Sequence, residues 1–114
     1  MQTSEIQKIV EELKKFNSER GWEKFHNPKN LAISISLEAN ELLEIFQWLT
    51  MDEATQALQT KKTELSEEIA DVAIYLLLLA EKAEINLIEA IKDKIAKNRV
   101  KHNTNKEYDY LSSQ

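Results

Sequence analysis

The sequence is poor in the residues that crosslink or interrupt a chain: its 114 residues include no cysteine, one glycine and one proline. The absence of cysteine excludes disulfides, thiolate nucleophiles and zinc–thiolate sites, and it suits a reducing compartment, so we expect a cytoplasmic protein. Few glycines and prolines leave little room for loops. Because 42% of the residues are hydrophobic and 31% are charged, with many Glu, Lys, Leu, Ile and Ala, we predict an all-α fold.

Long apolar runs and an excess of basic residues are also missing. The longest apolar run, VAIYLLLLA at 72–80, has nine residues, about half of what a bilayer-spanning helix needs. The first residues have neither a basic segment nor an apolar one, so we expect no export signal. A formal net charge of −5 supplies no basic face for a phosphate backbone. We therefore expect no membrane or nucleic-acid partner, and any anionic ligand needs a cation as intermediary.

Helical periodicity runs through most of the chain. Apolar residues spaced three and four apart predict a bundle of four main helices, over residues 3–20, 28–49, 63–84 and 87–102. The polar segment 50–62 is expected to hold a short helix or a turn. We treat the chain as one domain with its core over residues 5–103 and a polar tail over 104–114.

Local signals mark the ends of three of these helices. Gly21 suits the position just after the first helix. Asn27 followed by Pro28 fits the cap and first residue of the second helix. Asn86, with Glu89 three residues later, fits a capping box that opens the fourth helix.

Two of the predicted helices carry acidic residues on faces that are otherwise apolar. One face of the second helix is apolar, then acidic at Glu38 and Glu41, then apolar again, and a face of the third helix is acidic at Glu68 and Asp71 before it becomes apolar. Like charges at this spacing cost a helix about 0.2–0.5 kcal/mol per pair, so a cation is expected to compensate them. Hard carboxylate oxygens suit Mg²⁺, or Mn²⁺, better than zinc or copper.

Other interpretations of the acidic residues stay open. A further group sits on helix shoulders or in loops and is expected to be solvated: Glu44, Glu53, Glu64 and Glu67. A di-iron bundle would need two Glu-x-x-His motifs on helices. The one match, Glu23 to His26, runs into Asn27-Pro28 and has no second copy.

The arrangement of these motifs resembles the MazG-like all-α nucleoside triphosphate pyrophosphohydrolases, in particular their dCTP pyrophosphatase branch. Glu38-x-x-Glu41 is followed after twenty-six residues by Glu68-x-x-Asp71, as in the split acidic motif of that family. Four ordered segments carry the resemblance: RGWEKFHNPKNL at 20–31, ELLEIFQW at 41–48, EEIADVAIYLLLLA at 67–80 and KIAKNRVKH at 94–102.

The resemblance implies hydrolysis of a nucleoside triphosphate, most closely dCTP, between the α and β phosphates, giving a monophosphate and pyrophosphate. It also implies that Glu38, Glu41, Glu68 and Asp71 bind Mg²⁺ and form the catalytic site, with Glu41 or Glu38 orienting or deprotonating the water. The family forms dimers, and this branch pairs dimers into tetramers. A third helix that is apolar on nearly every side in so short a chain also indicates more buried surface than one protomer can cover. Together with the resemblance, this predicts a homotetramer built from dimers.

Aromatic residues are expected around the base. In the branch that the sequence resembles, two tryptophans and a histidine surround the base, which corresponds here to Trp22, Trp48 and His26. Tyr75, one turn beyond Asp71, is placed to reach a sugar or a phosphate. Packing in the core is the alternative for each aromatic residue.

The fourth helix offers polar groups for the phosphates. Lys94 and Asn98 share a stripe that changes from apolar to basic and polar, and Arg99 is their neighbour. An ordinary surface position is the alternative for all three.

At the level of function, the alternatives are a helical nucleotide- or partner-binding module with a structural metal ion, and a di-iron oxidoreductase. The preferred base and the number of metal ions are left open.

Overall fold

The structure, a computed structural model, describes residues 4–102, and these residues contain five α-helices. They are α1 (Ser4–Glu19), α2 (Pro28–Glu44), α3 (Met51–Thr60), α4 (Lys62–Lys82) and α5 (Leu87–Lys101), with a short 3₁₀ helix at Glu23–Phe25. The predicted all-α fold is confirmed. The four main helices are present, and segment 50–62 holds the additional helix α3. The polar tail predicted at 104–114 lies outside the described residues.

The end of α1 is closed by a left-handed glycine. Gly21 has a φ of 67°, its N–H donates to the Ser18 carbonyl at 3.1 Å, and the Trp22 N–H donates to the Asn17 carbonyl at 2.9 Å. These two bonds define a Schellman motif with Gly21 at the position that the sequence predicted. Trp22 leaves the helix in a fixed direction as a result.

The start of α2 follows its predicted cap, but its end does not. The Asn27 side chain accepts a hydrogen bond from the Asn30 N–H at 2.8 Å, and Pro28 opens the helix. The helix ends at Glu44 rather than near residue 49. Residues 45–49 form tight turns instead, and a capping box between Thr50 and Glu53 then starts α3.

Helix α4 is the centre of the protomer. Its most extensive packing is against α2, with smaller contacts to α1 and α3, whereas α5 packs only sparsely on the other helices. The buried apolar side chains come from these central elements: Val10, Leu31, Ile45, Ala57, Leu77, Leu78 and Ala80. The close pairing of α2 with α4 brings their acidic stretches side by side.

Several helix faces are left uncovered by this packing. Large apolar side chains that remain exposed include Ile33 and Leu37 on α2, Ile69 and Leu76 on α4, and Ile91, Ile95 and Val100 on α5. Such a concentration of exposed apolar residues is typical of a surface that meets another protein chain. Within residues 4–102 no helix has the length and apolar character to cross a membrane.

Candidate functional site

Three carboxyl groups from α2 and α4 meet in one cluster. One oxygen from each of Glu38, Glu41 and Glu68 lies within 4.8 Å of the others. Glu38 and Glu41 are neighbours on the helix surface because they are three residues apart, and Glu68 faces them from α4. Asp71, one turn after Glu68, is outside this group.

The cluster is a site of unbalanced negative charge. A hydrogen bond shared with Glu41, reinforced by burial and by the charges of Glu41, Asp71 and Glu68, raises the pKa of Glu38 to about 7. Burial, followed by the charges of Glu41 and Asp71, raises the pKa of Glu68 above its usual value. The ion pairs found within residues 4–102 use none of these four acids. Each carboxylate therefore destabilises the charged form of its neighbours.

The carboxyl groups present fit a divalent cation. Glu38 Oε2 and Glu68 Oε2 are buried, and among the described residues neither oxygen has a hydrogen-bond partner. Buried carboxylate oxygens are unfavourable unless they are paired or coordinate a metal. Because every available ligand atom is a carboxylate oxygen, the set suits a hard cation such as Mg²⁺ or Mn²⁺.

The four acids that were expected to be solvated are indeed exposed: Glu44, Glu53, Glu64 and Glu67.

An aromatic pocket of about 350 Å³ extends from Asp71 between α1 and α4. Three of the predicted substrate residues, Trp22, His26 and Tyr75, line it. The His26 and Tyr75 rings meet edge to face, with centroids 6.3 Å apart. Asp71 thus belongs to the wall of an aromatic pocket while its charge acts on the acidic cluster.

Trp22 is held at the edge of this pocket by its own helix end. Its ring packs edge to face on Phe16 with centroids 5.6 Å apart. The Arg20 guanidinium lies over the Phe16 ring, with its central carbon 3.5 Å from the ring centroid. Arg20 Nη1 also donates a hydrogen bond to the Phe16 carbonyl at 3.2 Å. The Schellman motif and this stack fix the indole, which is still 44% exposed.

Four predicted substrate residues lie away from the pocket in the protomer. Trp48 is in the turn after α2 and is 86% exposed. Lys94, Asn98 and Arg99 are exposed on α5, the helix with the sparsest packing. None of the four lines the aromatic pocket.

Sequence reasoning missed two polar residues of the pocket wall, Glu12 and Asn17. Asn17 lines the pocket, although the sequence places it on the apolar face of α1, four residues after Leu13 and seven after Val10. A polar residue in an apolar stripe was the available signal.

The fold and the site define a class of protein: an all-α protein that carries a carboxylate cluster beside an aromatic pocket. A sequence profile of the MazG-like family matches residues 33–113, and the chain belongs to this family. The family resemblance seen in the sequence is thereby confirmed.

Known relatives agree with this assignment. The chain is 42% identical over 89 residues to dCTP pyrophosphatase 1 of Rattus norvegicus, covering 76% of this chain and 52% of that protein. It is 41% identical over 86 residues to dCTP pyrophosphatase 1 of Homo sapiens, covering 74% and 51%. It thus spans about half the length of the curated relatives it matches.

A solved structure is similar over nearly its whole length. The crystal structure of a pyrophosphatase from Archaeoglobus fulgidus superposes with a TM-score of 0.85 at 50% identity, covering 91% of this chain and 97% of that chain. The helical arrangement described above is therefore closely similar to that of this crystallised protein.

Proposed function

We propose that this protein is a nucleoside triphosphate pyrophosphohydrolase, which cleaves a (d)NTP, and a dCTP-like deoxynucleotide in particular, between the α and β phosphates. The products are the monophosphate and pyrophosphate. The observation that carries the proposal is the cluster of Glu38, Glu41 and Glu68, linked through Asp71 to an aromatic pocket of nucleoside size. The names of the relatives, dCTP pyrophosphatase 1 and pyrophosphatase, support it.

The acidic cluster explains how a polyanionic substrate is accepted. Glu38, Glu41 and Glu68 would hold Mg²⁺, with Asp71 beside them, and Mn²⁺ is the alternative ion. When bound, such an ion neutralises phosphate oxygens and lowers the pKa of water. Glu41 is the exposed member of the cluster, whereas Glu38 and Glu68 each bury an oxygen. Glu41 is therefore our candidate for orienting the attacking water.

The aromatic pocket would hold the base. Trp22, His26 and Tyr75 offer ring faces and edges there, and stacking on an aromatic side chain contributes about 1–3 kcal/mol per base. Because Asp71 lines the same pocket, the phosphates would lie towards the acidic cluster and the base would lie among the aromatic rings.

The assembly in the proposal is a homotetramer built from dimers. Exposed apolar side chains on α2, α4 and α5 support burial against other copies of the chain. A second copy would also supply the groups that lie away from the pocket in one protomer: Trp48, Lys94, Asn98 and Arg99. Lys94, Asn98 and Arg99 are polar groups suited to phosphates.

The proposal also includes a single domain and a cytoplasmic location.

Product analysis with matched variants tests the function. Purified protein incubated with dCTP and Mg²⁺ should release pyrophosphate, and the release should stop in EDTA. Glu41→Gln should abolish it, whereas Glu44→Gln, an exposed acid on the same helix, should leave it unchanged. Nucleotide binding without any turnover would instead favour a non-catalytic binding module.

A further inference from the structure

Asn17 is a polar side chain in a buried position with access to two cavities. It is 6% exposed. It lines both the aromatic pocket and an adjoining cavity of about 250 Å³. His26 and Leu78 also line both cavities. Asn17 therefore belongs to the wall where the two cavities meet.

The backbone and the side chain of Asn17 differ in their hydrogen bonding. Its carbonyl accepts from the Trp22 N–H at 2.9 Å and from the Arg20 N–H at 3.3 Å. The side-chain hydrogen bonds found within residues 4–102 do not include its amide. The amide nitrogen and oxygen are not among the buried side-chain atoms of residues 4–102 that lack a partner, so they keep contact with the cavities that Asn17 lines. The closing of α1 does not need the amide, which remains available to a ligand.

The surroundings indicate which part of a nucleotide the amide meets. Asp71 lines the larger cavity but not the smaller one, whereas Asn17 lines both. If the phosphates lie towards Asp71 and the acidic cluster, the base extends towards the wall formed by Asn17. Glu12, Trp22, His26 and Tyr75 also offer polar atoms to this cavity. Among its lining residues only Asn17 is an amide, which presents a donor and an acceptor side by side to the edge of a base.

The charges on the larger cavity favour one type of base edge. Its two charged lining residues, Glu12 and Asp71, are both acidic. The basic Lys14 lines the smaller cavity, where it is paired with Glu81 at 3.6 Å. An acidic lining favours an N–H donor over a carbonyl oxygen at the base edge.

We propose that Asn17 is a specificity-determining residue that recognises an amino-bearing base such as cytosine. Its amide oxygen accepts from the exocyclic amino group, and its amide N–H donates to the adjacent ring nitrogen. This inference rests on the proposed function. It adds a hydrogen-bonding contact to the stacking contributed by the aromatic residues.

A substrate that lacks one hydrogen-bonding group tests the contact directly. The probes are dCTP, dUTP and the triphosphate of 2′-deoxyribosyl pyrimidin-2-one, which is dCTP without its exocyclic amino group. Wild-type protein should prefer dCTP over the pyrimidin-2-one by roughly tenfold to a hundredfold in kcat/KM, which is typical of a buried hydrogen bond. Asn17→Ala should lower kcat/KM for dCTP by a similar factor and bring the two substrates close together.

Two further variants separate recognition from folding. Asn17→Asp keeps the shape but places a carboxylate oxygen opposite the ring nitrogen of cytosine. It should therefore lower kcat/KM for dCTP and reduce the preference for dCTP over dUTP, which tests the contact even if Asn17→Ala is too unstable to assay. Ser18→Ala, on the neighbouring exposed position of α1, should leave the substrate ranking unchanged. Melting curves of each variant accompany the kinetics.

Other results would overturn the inference. If Asn17→Ala lowers kcat/KM equally for dCTP and the pyrimidin-2-one, or if Asn17→Asp leaves kcat/KM for dCTP unchanged, Asn17 does not recognise the amino-bearing edge of the base. In that case wild-type turnover of dCTP would leave the proposed function intact. If the wild-type protein hydrolyses none of the three triphosphates, the proposed function fails and this inference fails with it.

Discussion

The Trp22 N–H donates to the Asn17 carbonyl at 2.9 Å across the end of α1. This bond joins two residues of the aromatic pocket wall, and it exists because Gly21 between them adopts a left-handed conformation with a φ of 67°. No atom outside its immediate chain neighbours lies within 4 Å of a Cβ placed on Gly21. The backbone conformation, rather than space, is what requires glycine here.

Gly21→Ala should therefore destabilise the protein and disturb the pocket. A non-glycine residue in the left-handed region costs about 1–2 kcal/mol, and any relaxation of the turn would move Trp22. We expect the free energy of unfolding to fall by about that amount and the KM for dCTP to rise. Denaturant unfolding and steady-state kinetics measure the two effects.

Glu84 provides the matched control for this substitution. It has a φ of 57° after α4, with the Glu84 N–H bonded to the Glu81 carbonyl at 3.1 Å and the Ile85 N–H to the Ala80 carbonyl at 2.9 Å. The motif is the same as at Gly21, but with a residue that is strained there. Glu84→Gly should leave KM unchanged and stabilise the protein slightly. A loss of stability at Glu84→Gly would contradict this account of both helix ends.

Repulsion within the acidic cluster predicts how the metal affects stability. Glu68→Gln removes one charge from a group whose oxygens lie within 4.8 Å, so the metal-free variant should melt at a higher temperature than metal-free wild type. Added Mg²⁺ should raise the melting temperature of the wild-type protein and have a much smaller effect on the variant. Calorimetry in EDTA and in Mg²⁺ compares them. Glu67→Gln, at the exposed neighbouring position, should respond to Mg²⁺ like wild type.

The raised pKa of Glu38 gives the metal-free protein a specific pH dependence. The pKa is about 7 in the folded state against an ordinary value of 4.5, so the folded state binds more protons between these values. The free energy of unfolding should therefore fall as the pH rises from about 4.5 to about 7. Glu38→Gln should reduce this slope. Equal slopes for wild type and Glu38→Gln in EDTA would show that Glu38 does not titrate in this window.

A mixing experiment tests whether a second copy completes the site. Glu41→Gln and Lys94→Ala should each be inactive or severely impaired. If Lys94 acts in the site of a partner, refolding the two variants together should restore roughly a quarter of the wild-type activity, because half of the dimers are mixed and each has one intact site.

A second mixture serves as the control for this experiment. Glu41→Gln with Glu68→Gln should not be rescued, because both residues belong to the cluster within one chain. Activity restored to the same extent in both mixtures would contradict the shared-site arrangement. An absence of rescue in the first mixture would place Lys94 in its own protomer's site or outside any site.

Local sequence signals predicted much of the fold because they act through neighbouring residues. Asn27-Pro28 and Gly21 were recognisable, since a cap or a left-handed turn depends on a few adjacent positions. The end of α2 was predicted too late. The apolar periodicity continues through Ile45 and Trp48, but the chain turns after Glu44, and the capping box at Thr50 and Glu53 starts a separate helix.

The candidate site was partly predictable for a similar reason. Glu38, Glu41 and Glu68 stood out because charged residues interrupted apolar stripes on two helices, and helix packing then brings such interruptions together. Asn17 was not recognised, since one neutral polar residue among apolar neighbours is a weak signal. In the proposed assembly the relation of Lys94 to the pocket depends on contacts between chains, which periodicity within one chain does not specify.

The most direct test of the central claim is to follow dCTP by ³¹P nuclear magnetic resonance after adding the protein and Mg²⁺. Cleavage between the α and β phosphates predicts that the three dCTP signals are replaced by those of dCMP and pyrophosphate, with no change in EDTA. The appearance of dCDP and inorganic phosphate, or an unchanged dCTP spectrum in Mg²⁺, would contradict the account.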